Sequence, residues 1–186
     1  MDFERLQIPD VILITPRRIA DSRGFFSETF RADAFEAQGL NALKFVQDNH
    51  VHSVQKGVLR GLHFQLQPHA QGKLVRCTRG AIFDVAVDIR SGSPTYGQHI
   101  GVELSAANWK QLWVPVGFAH GYVTLEEQCE VIYKVTDYYS PECDRGIAWN
   151  DSALAIKWPL SNADIIVSEK DRRQPRLSEI PPAFQF

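Results

Sequence analysis

The alternation in Ile82-Phe-Asp-Val-Ala-Val-Asp-Ile89 constrains the chain most, because only a β-strand puts such a pattern to use. Successive side chains of a strand point to opposite faces, so Phe83, Val85, Val87 and Ile89 share one face. Asp84 and Asp88 lie on the other. Two further stretches repeat the theme: Cys129, Val131, Tyr133 and Val135 form one apolar face, and Lys73, Val75 and Cys77 line another. Gly57 to Leu66, Gly97 to Leu104 and Gln111 to Pro115 supply more candidate strands. From residue 42 to 136 the chain reads as short strands punctuated by Gly, Pro and Asn. That density of strands and turns predicts an all-β double-sheet jelly roll or barrel. The best helix is Ala32 to Gln38, with Asp33 in its first turn and Gly39 placed to stop it. After Pro141 the pattern weakens to turns and one or two short helices.

With 186 residues and no repeat or Pro/Gly-rich linker, the chain reads as one domain with a C-terminal extension from about residue 141. A net charge of -2 gives no general attraction to nucleic acid or to a membrane surface, so an anionic ligand needs locally clustered Arg and Lys. The apolar runs are too short and too often broken by charge to span a membrane. Met1 to Pro9 lacks the continuous apolar stretch of a signal peptide. Cys77, Cys129 and Cys143 have no metal-type spacing and read as free thiols of a reducing cytosol.

The chemistry-bearing residues begin in Gly57-Val-Leu-Arg-Gly-Leu-His-Phe-Gln65. Arg60 and His63 are an odd number of positions apart, so a regular strand would turn them to opposite faces. Gly61 between them is a candidate bulge that lets both reach one pocket. Lys73 and Arg76 follow closely, and a second histidine stands in Pro115-Val-Gly-Phe-Ala-His120-Gly. By themselves His63 and Lys73 would pass for ordinary surface or structural residues, Tyr133 for a core residue, and Asp171 for a solvated turn acid.

These segments resemble the two motifs of the cupin superfamily. In metal cupins two His and a Glu from the first motif and a His from the second hold the ion. Here His63 and His120 remain, Gln65 stands at the second histidine position, and Lys73 falls near the glutamate. An ammonium has no lone pair to offer and an amide is a weak ligand, so the set suits proton transfer better than a divalent metal. No metal and no cofactor are expected.

A more specific resemblance runs from about residue 10 to 177. Asp21-Ser-Arg-Gly-Phe-Phe-Ser-Glu28, Val46-Gln-Asp-Asn49, Lys73-Leu-Val-Arg76 and Asp84-Val-Ala-Val-Asp-Ile-Arg90 take their places in order. So do Gln111 to Gly121, Tyr133-Lys-Val-Thr-Asp-Tyr-Tyr139 and Ser168-Glu-Lys-Asp171. With Gly57 to Gln65, the ordered set is similar to the dTDP-4-dehydrorhamnose 3,5-epimerase family, cupin-type jelly rolls. The resemblance implies inversion at C3 and C5 of a dTDP-linked 4-keto-6-deoxy sugar. It implies His63 as base with Asp171 as its carboxylate partner, Lys73 as the cation at the developing oxyanion, and Tyr133 as the acid on the opposite ring face.

It further implies that Arg23, Arg60 and Lys170 make cationic contacts to the substrate and that Tyr139 stacks on the thymine. Gln47, Asn49, Phe26, Glu28, His120 and Asp144 match other substrate-contacting positions. The family's N-terminal region serves a neighbouring subunit's site in a homodimer, so a cytoplasmic homodimer is expected. Asp144 stands where the family commonly has Glu, and Val51 and His52 where small or basic polar residues are commoner; both bear on nucleotide preference, not on the reaction. Three other readings compete: a relative that inverts one centre or shifts the keto group, a metal-dependent cupin enzyme, and a non-catalytic nucleotide-sugar binding module.

Overall fold

The computed structural model describes residues 1–40 and 43–186; Ala42, the first residue of the strand-rich stretch, lies outside them. The N-terminal part contains β1 (Asp2–Arg5), β2 (Ile12–Thr15), β3 (Ile19–Asp21), β4 (Gly24–Phe26) and α1 (Ala32–Glu36). Then come β5 (Gln47–Ser53), β6 (Val58–Gln65), β7 (Lys73–Arg79), β8 (Ala81–Asp88), β9 (Arg90–Ser91) and β10 (His99–Ser105). β11 (Gln111–Val114), β12 (Phe118–Thr124), β13 (Cys129–Val135) and β14 (Asp144–Gly146) complete the strand-rich region. The C-terminal part holds β15 (Ile166–Val167), α2 (Glu169–Arg172) and β16 (Phe184–Gln185).

One sheet runs β1-β2-β11-β7-β13-β5 and the other β10-β8-β12-β6-β14, with β15 also pairing β6. The two sheets face each other in the expected cupin-type jelly roll, but neither closes on the other: the arrangement is an open sandwich, where a barrel was the other expectation. Helix α1 ends at Glu36, two residues short of the expected Gln38, in a turn that leads into Gly39 at φ +81°.

Between the sheets lies a core to which Leu13, Val75, Cys77, Leu112 and Val131 come from one sheet and Ile82, Leu104, Phe118 and Tyr122 from the other. The outer faces are covered as well. Phe35 of α1 packs with Ile12, Ile14, Leu74 and Trp113 outside the first sheet. Leu62, Val85, Val87 and Ile89 meet Ile147, Leu154 and Leu177 of the C-terminal extension outside the second. Double coverage explains why β12 is buried along its whole length. It also explains the two aspartates of β8. Their face looks into the sandwich, not to water, and both are fully buried. Asp88 is satisfied there by Arg90, Ser93 and Thr95, and Asp84 by His120.

Candidate active site

The register between β6 and β12 sets up the site. His63 lies opposite His120 and Arg60 opposite Tyr122, so three steps on β6 are matched by two on β12. The extra residue makes a bulge at Gly61–Leu62, and Arg60 and His63 thereby line one cavity, as expected from the glycine between them. Gly61 sits at φ +136°, and a Cβ there would come within 2.5 Å of the Gly121 backbone. Only glycine fits.

Two adjoining cavities open at this end of the sandwich. The inner one, about 480 Å³, is walled by Arg60, His63, Lys73, His120, Tyr122, Tyr133, Lys170 and Asp171. The outer one, about 360 Å³, shares His63, Lys73, Tyr133 and Lys170 and adds Gln47, Asn49, Tyr139 and Asp144. A larger cavity of about 560 Å³ lies against β1 and β10, lined by Glu4, Arg5, His99 and Lys157 among others. Among the described residues no hydrogen-bonded acid–base pair lines it, so its size does not make it the better candidate.

His63 Nε2 is 2.6 Å from Asp171 Oδ1. Asp171 reaches this point because β15 runs parallel to the start of β6 and delivers α2 beside the bulge. The Asp171 amide donates to Ser168 Oγ at 3.1 Å, which caps the helix. Burial alone would push the Asp171 carboxyl up; hydrogen bonds from His63, Ser168 and Gly61 overcome this and hold it below its ordinary value. A carboxylate can only accept, so Nε2 carries the proton and Nδ1 keeps the lone pair.

Lys73 enters from β7, with Nζ donating to the His63 carbonyl at 3.4 Å. Burial lowers its ammonium to about 8, against the opposing pull of Asp144 and Asp84. Tyr133, on β13, is raised from its ordinary value by burial, with Arg60 countering and Asp144 adding to the effect. The phenol therefore holds its proton at neutral pH. On the outer side Asp144 accepts from Lys170 Nζ and, at 3.1 Å, from the Tyr139 hydroxyl. Gln47 Nε2 donates to Asn49 Oδ1 at 2.8 Å, while Gln47 Oε1 accepts from the Tyr139 amide at 3.1 Å. These amides do converge, as their shared strand face predicts.

Eleven of the fourteen expected site residues thus line the two cavities. The other three do not. Arg23 pairs with Asp21 at 2.7 Å, Phe26 is 65% exposed, and Glu28 sits 3.8 Å from Arg31 beside a separate small pocket. The hairpin that carries the first two is pinned to the outer side of the fold by Phe25 packing edge-on against Trp109, at 4.8 Å between centroids. Trp109 Nε1 also donates to Ser27 Oγ at 3.0 Å.

Sequence reasoning left two residues unassigned, one behind the wall of the inner cavity and one in it. Asp84 accepts from His120 Nε2 with both oxygens, at 2.9 and 3.0 Å. Tyr122 lines the inner cavity, its buried hydroxyl without a partner among the described residues. The available signal was an aspartate within an otherwise apolar strand. Gln65, at the metal-cupin ligand position, is engaged by backbone: Nε2 donates to the His69 and Tyr138 carbonyls and Oε1 accepts from the Ser140 amide. Among the described residues no three of His, Cys, Asp or Glu gather as a metal-binding group.

A hydrogen-bonded imidazole–carboxylate pair, a buried ammonium and a protonated phenol around one cavity are the parts needed for moving protons on and off carbon beside a carbonyl. Comparison with known proteins agrees with that reading. The sequence profile described as dTDP-4-dehydrorhamnose 3,5-epimerase matches residues 5–179. The dTDP-4-dehydrorhamnose 3,5-epimerase of Sinorhizobium fredii is 54% identical over 186 residues, covering 100% of this chain and 94% of that protein. A dTDP-6-deoxy-D-glucose-3,5-epimerase from Legionella pneumophila, solved in complex with dTDP-4-keto-L-rhamnose, superposes with a TM-score of 0.95. It is 45% identical and the match covers 100% of this chain and 98% of that one. A 3'-monoepimerase from Streptomyces bikiniensis, solved with dTDP-quinovose, has a TM-score of 0.87 at 29% identity over 93% of this chain and 86% of its own. A profile spanning nearly the whole chain, and a relative of that identity over its full length, decide the matter: this protein is a member of the dTDP-4-dehydrorhamnose 3,5-epimerase family.

Proposed function

We propose that the protein inverts C3 and C5 of dTDP-4-dehydro-6-deoxy-glucose, giving dTDP-4-dehydro-L-rhamnose, by proton abstraction and return. The observation that carries this is the His63–Asp171 pair, whose histidine lines a cavity also walled by Lys73 and Tyr133. The ketone at C4 acidifies the hydrogens on both neighbouring carbons, since either carbanion delocalises onto the same oxygen. One oxyanion site therefore serves two inversions.

His63 Nδ1 takes the hydrogen from carbon, and the electron pair of that C–H bond moves to the ketone oxygen to give an enolate. Asp171 steadies the imidazolium that results. Lys73 supplies the positive charge beside the oxygen where negative charge appears. The Tyr133 hydroxyl then gives its proton to carbon from the other ring face, which inverts the centre; the imidazolium proton is released to solvent and the phenolate regains one from it before the second centre reacts. Arg60 and Lys170 are suited to the two phosphates. Gln47, Asn49, Asp144 and Tyr139 form the wall for the nucleoside, with Tyr139 (56% exposed) able to stack on the base.

Incubation with the 4-keto sugar nucleotide in deuterium oxide tests the reading. Deuterium at both C3 and C5 is the expected result. Label at one carbon would move the protein to the single-centre class, which the Streptomyces bikiniensis relative shows to be compatible with this fold. No exchange would make it a binding module. His63→Asn is expected to abolish exchange at both carbons.

We further propose that the chain works as one domain in the cytosol, as a homodimer in which Arg23, Phe26 and Glu28 complete the partner's cavity. Their outward placement, on a hairpin and just after it, away from the lining of their own cavity, supports this. Mixing His63→Asn with Arg23→Ala subunits is the test. Hybrid dimers would contain one fully intact site, so activity should reappear on mixing.

A further inference from the structure

We propose that Asp84 is a positioning residue that holds His120 doubly protonated, with Nδ1–H directed at the substrate's ketone oxygen as a second donor beside Lys73. The inference deepens the epimerase reading and rests on it.

Asp84 is fully buried in the middle of β8, and both its oxygens are directed at His120 Nε2. Among the described residues no other hydrogen bond reaches its carboxylate. A buried carboxylate needs a positive partner in contact with it. The contact available is the imidazole, which therefore keeps protons on both nitrogens. His120 is itself only 6% exposed and lines the inner cavity, and among the described residues no hydrogen bond reaches its second nitrogen. The charged and titratable groups around the ring are Asp84 on β8, His63 and Arg60 on β6, Lys73 on β7, Tyr133 on β13 and Tyr122 on its own strand.

Register brings the two histidines together for different tasks. His63 and His120 are direct partners across β6 and β12, and each has a carboxylate behind it. The Asp171 carboxylate also accepts from Ser168 and from the Gly61 backbone, so its histidine need not carry a full charge and keeps a lone pair for abstraction. The Asp84 carboxylate has no helix cap or backbone amide to share its charge, which drives its histidine to the cationic form. Asp84 also counters the burial of Lys73. One buried acid thus supports two donors at the place where the enolate oxygen forms, and the cavity gains an oxyanion hole made of side chains.

The test uses the full-length protein labelled with 15N-histidine, with His120 assigned by loss of its signals in His120→Gln. Near pH 7 and without substrate, both His120 nitrogens should resonate as protonated, and Asp84→Asn should shift the ring to a neutral form. In turnover, Asp84→Asn should lower kcat roughly 10²-fold with KM changed less than about threefold, the pattern of a lost transition-state donor. Asp84→Asn and His120→Gln combined should be no slower than His120→Gln alone. A neutral His120 in the wild-type spectrum, or wild-type kcat in Asp84→Asn, would overturn the proposal. Should Asp84→Asn fail to fold, the wild-type spectrum decides alone. A wild-type protein that turns over no 4-keto sugar nucleotide would instead sink the epimerase reading, whatever the state of His120.

Discussion

His63 and Asp171 are 108 residues apart in sequence and 2.6 Å apart in space. The pairing depends on a strand of two residues, β15, that aligns α2 with the bulged strand β6. The Asp171 carboxyl is held below its ordinary value, so the stability it contributes is present above about pH 4 and lost as pH falls through the lowered value. Asp171→Asn should therefore flatten the acid limb of the stability curve, measured by thermal melts from about pH 5 downward. It should also lower kcat by roughly 10²–10⁴-fold, because the imidazole loses the partner that fixes its tautomer. An unchanged acid limb would mean the carboxylate is not paired in solution.

Tyr133→Phe separates abstraction from inversion. The base and the oxyanion cation remain, so solvent deuterium should still enter at carbon by return to the same face. Inverted product should fall by at least about 10²-fold. Proton NMR of the recovered sugar measures both. Full-rate inversion would assign the acid elsewhere.

Lys73 puts stability and activity in opposition. Its ammonium titrates near 8 in the fold and near 10.5 in the open chain, so between these values the unfolded state holds more protons. Stability contributed by this group is therefore lowest below pH 8 and rises with pH through that window. Activity runs the other way, falling as the ammonium is lost above about pH 8. Lys73→Met should melt no lower than wild type at pH 7, and the difference should shrink as pH is raised towards 10. Its kcat should fall roughly 10²-fold. A clear loss of melting temperature at pH 7 would show that the ammonium is better solvated than its burial implies.

Gly61→Ala should damage function more than any other methyl-sized change near the site. The added Cβ meets the Gly121 backbone at 2.5 Å, and a backbone atom cannot swing aside. The bulge must shift, and Arg60 and His63 no longer share a cavity. A loss of roughly 1–3 kcal/mol in denaturant unfolding is expected, together with loss of turnover. Wild-type activity would mean the bulge can form without the glycine.

Arg60→Ala should weaken nucleotide-sugar binding by roughly 1–3 kcal/mol, the range for a lost charge-assisted hydrogen bond, with a smaller effect on kcat. Calorimetric titration with dTDP measures it. Unchanged affinity would remove Arg60 from the phosphate contacts.

Much of this was legible from residues alone. The β8 alternation, the strand faces around Lys73 and Tyr133, and the bulge at Gly61 follow from a period of two and one flexible residue. The meaning of the Asp84 face did not. Alternation says that Asp84 and Phe83 point apart, but not that both sides are covered; that depends on α1 and the C-terminal extension packing outside the sheets. The partnership of Asp171 with His63 entered through family resemblance, because a two-residue strand leaves no periodic trace. Arg23, Phe26 and Glu28 entered the same way, and within one chain they stay away from the cavity. In the homodimer proposed above their chemistry would involve a second molecule, about which one chain's periodicity carries no information.

Gln65 carries a mechanical consequence. Its amide ties three backbone groups of two loops to the strand that bears His63, with both N–H donors and one oxygen lone pair engaged. The loop presenting Tyr139 is therefore leashed to the strand of His63 and cannot drift from it independently. A histidine at position 65, introduced to rebuild a metal-type triad, would free those loops before it captured any ion.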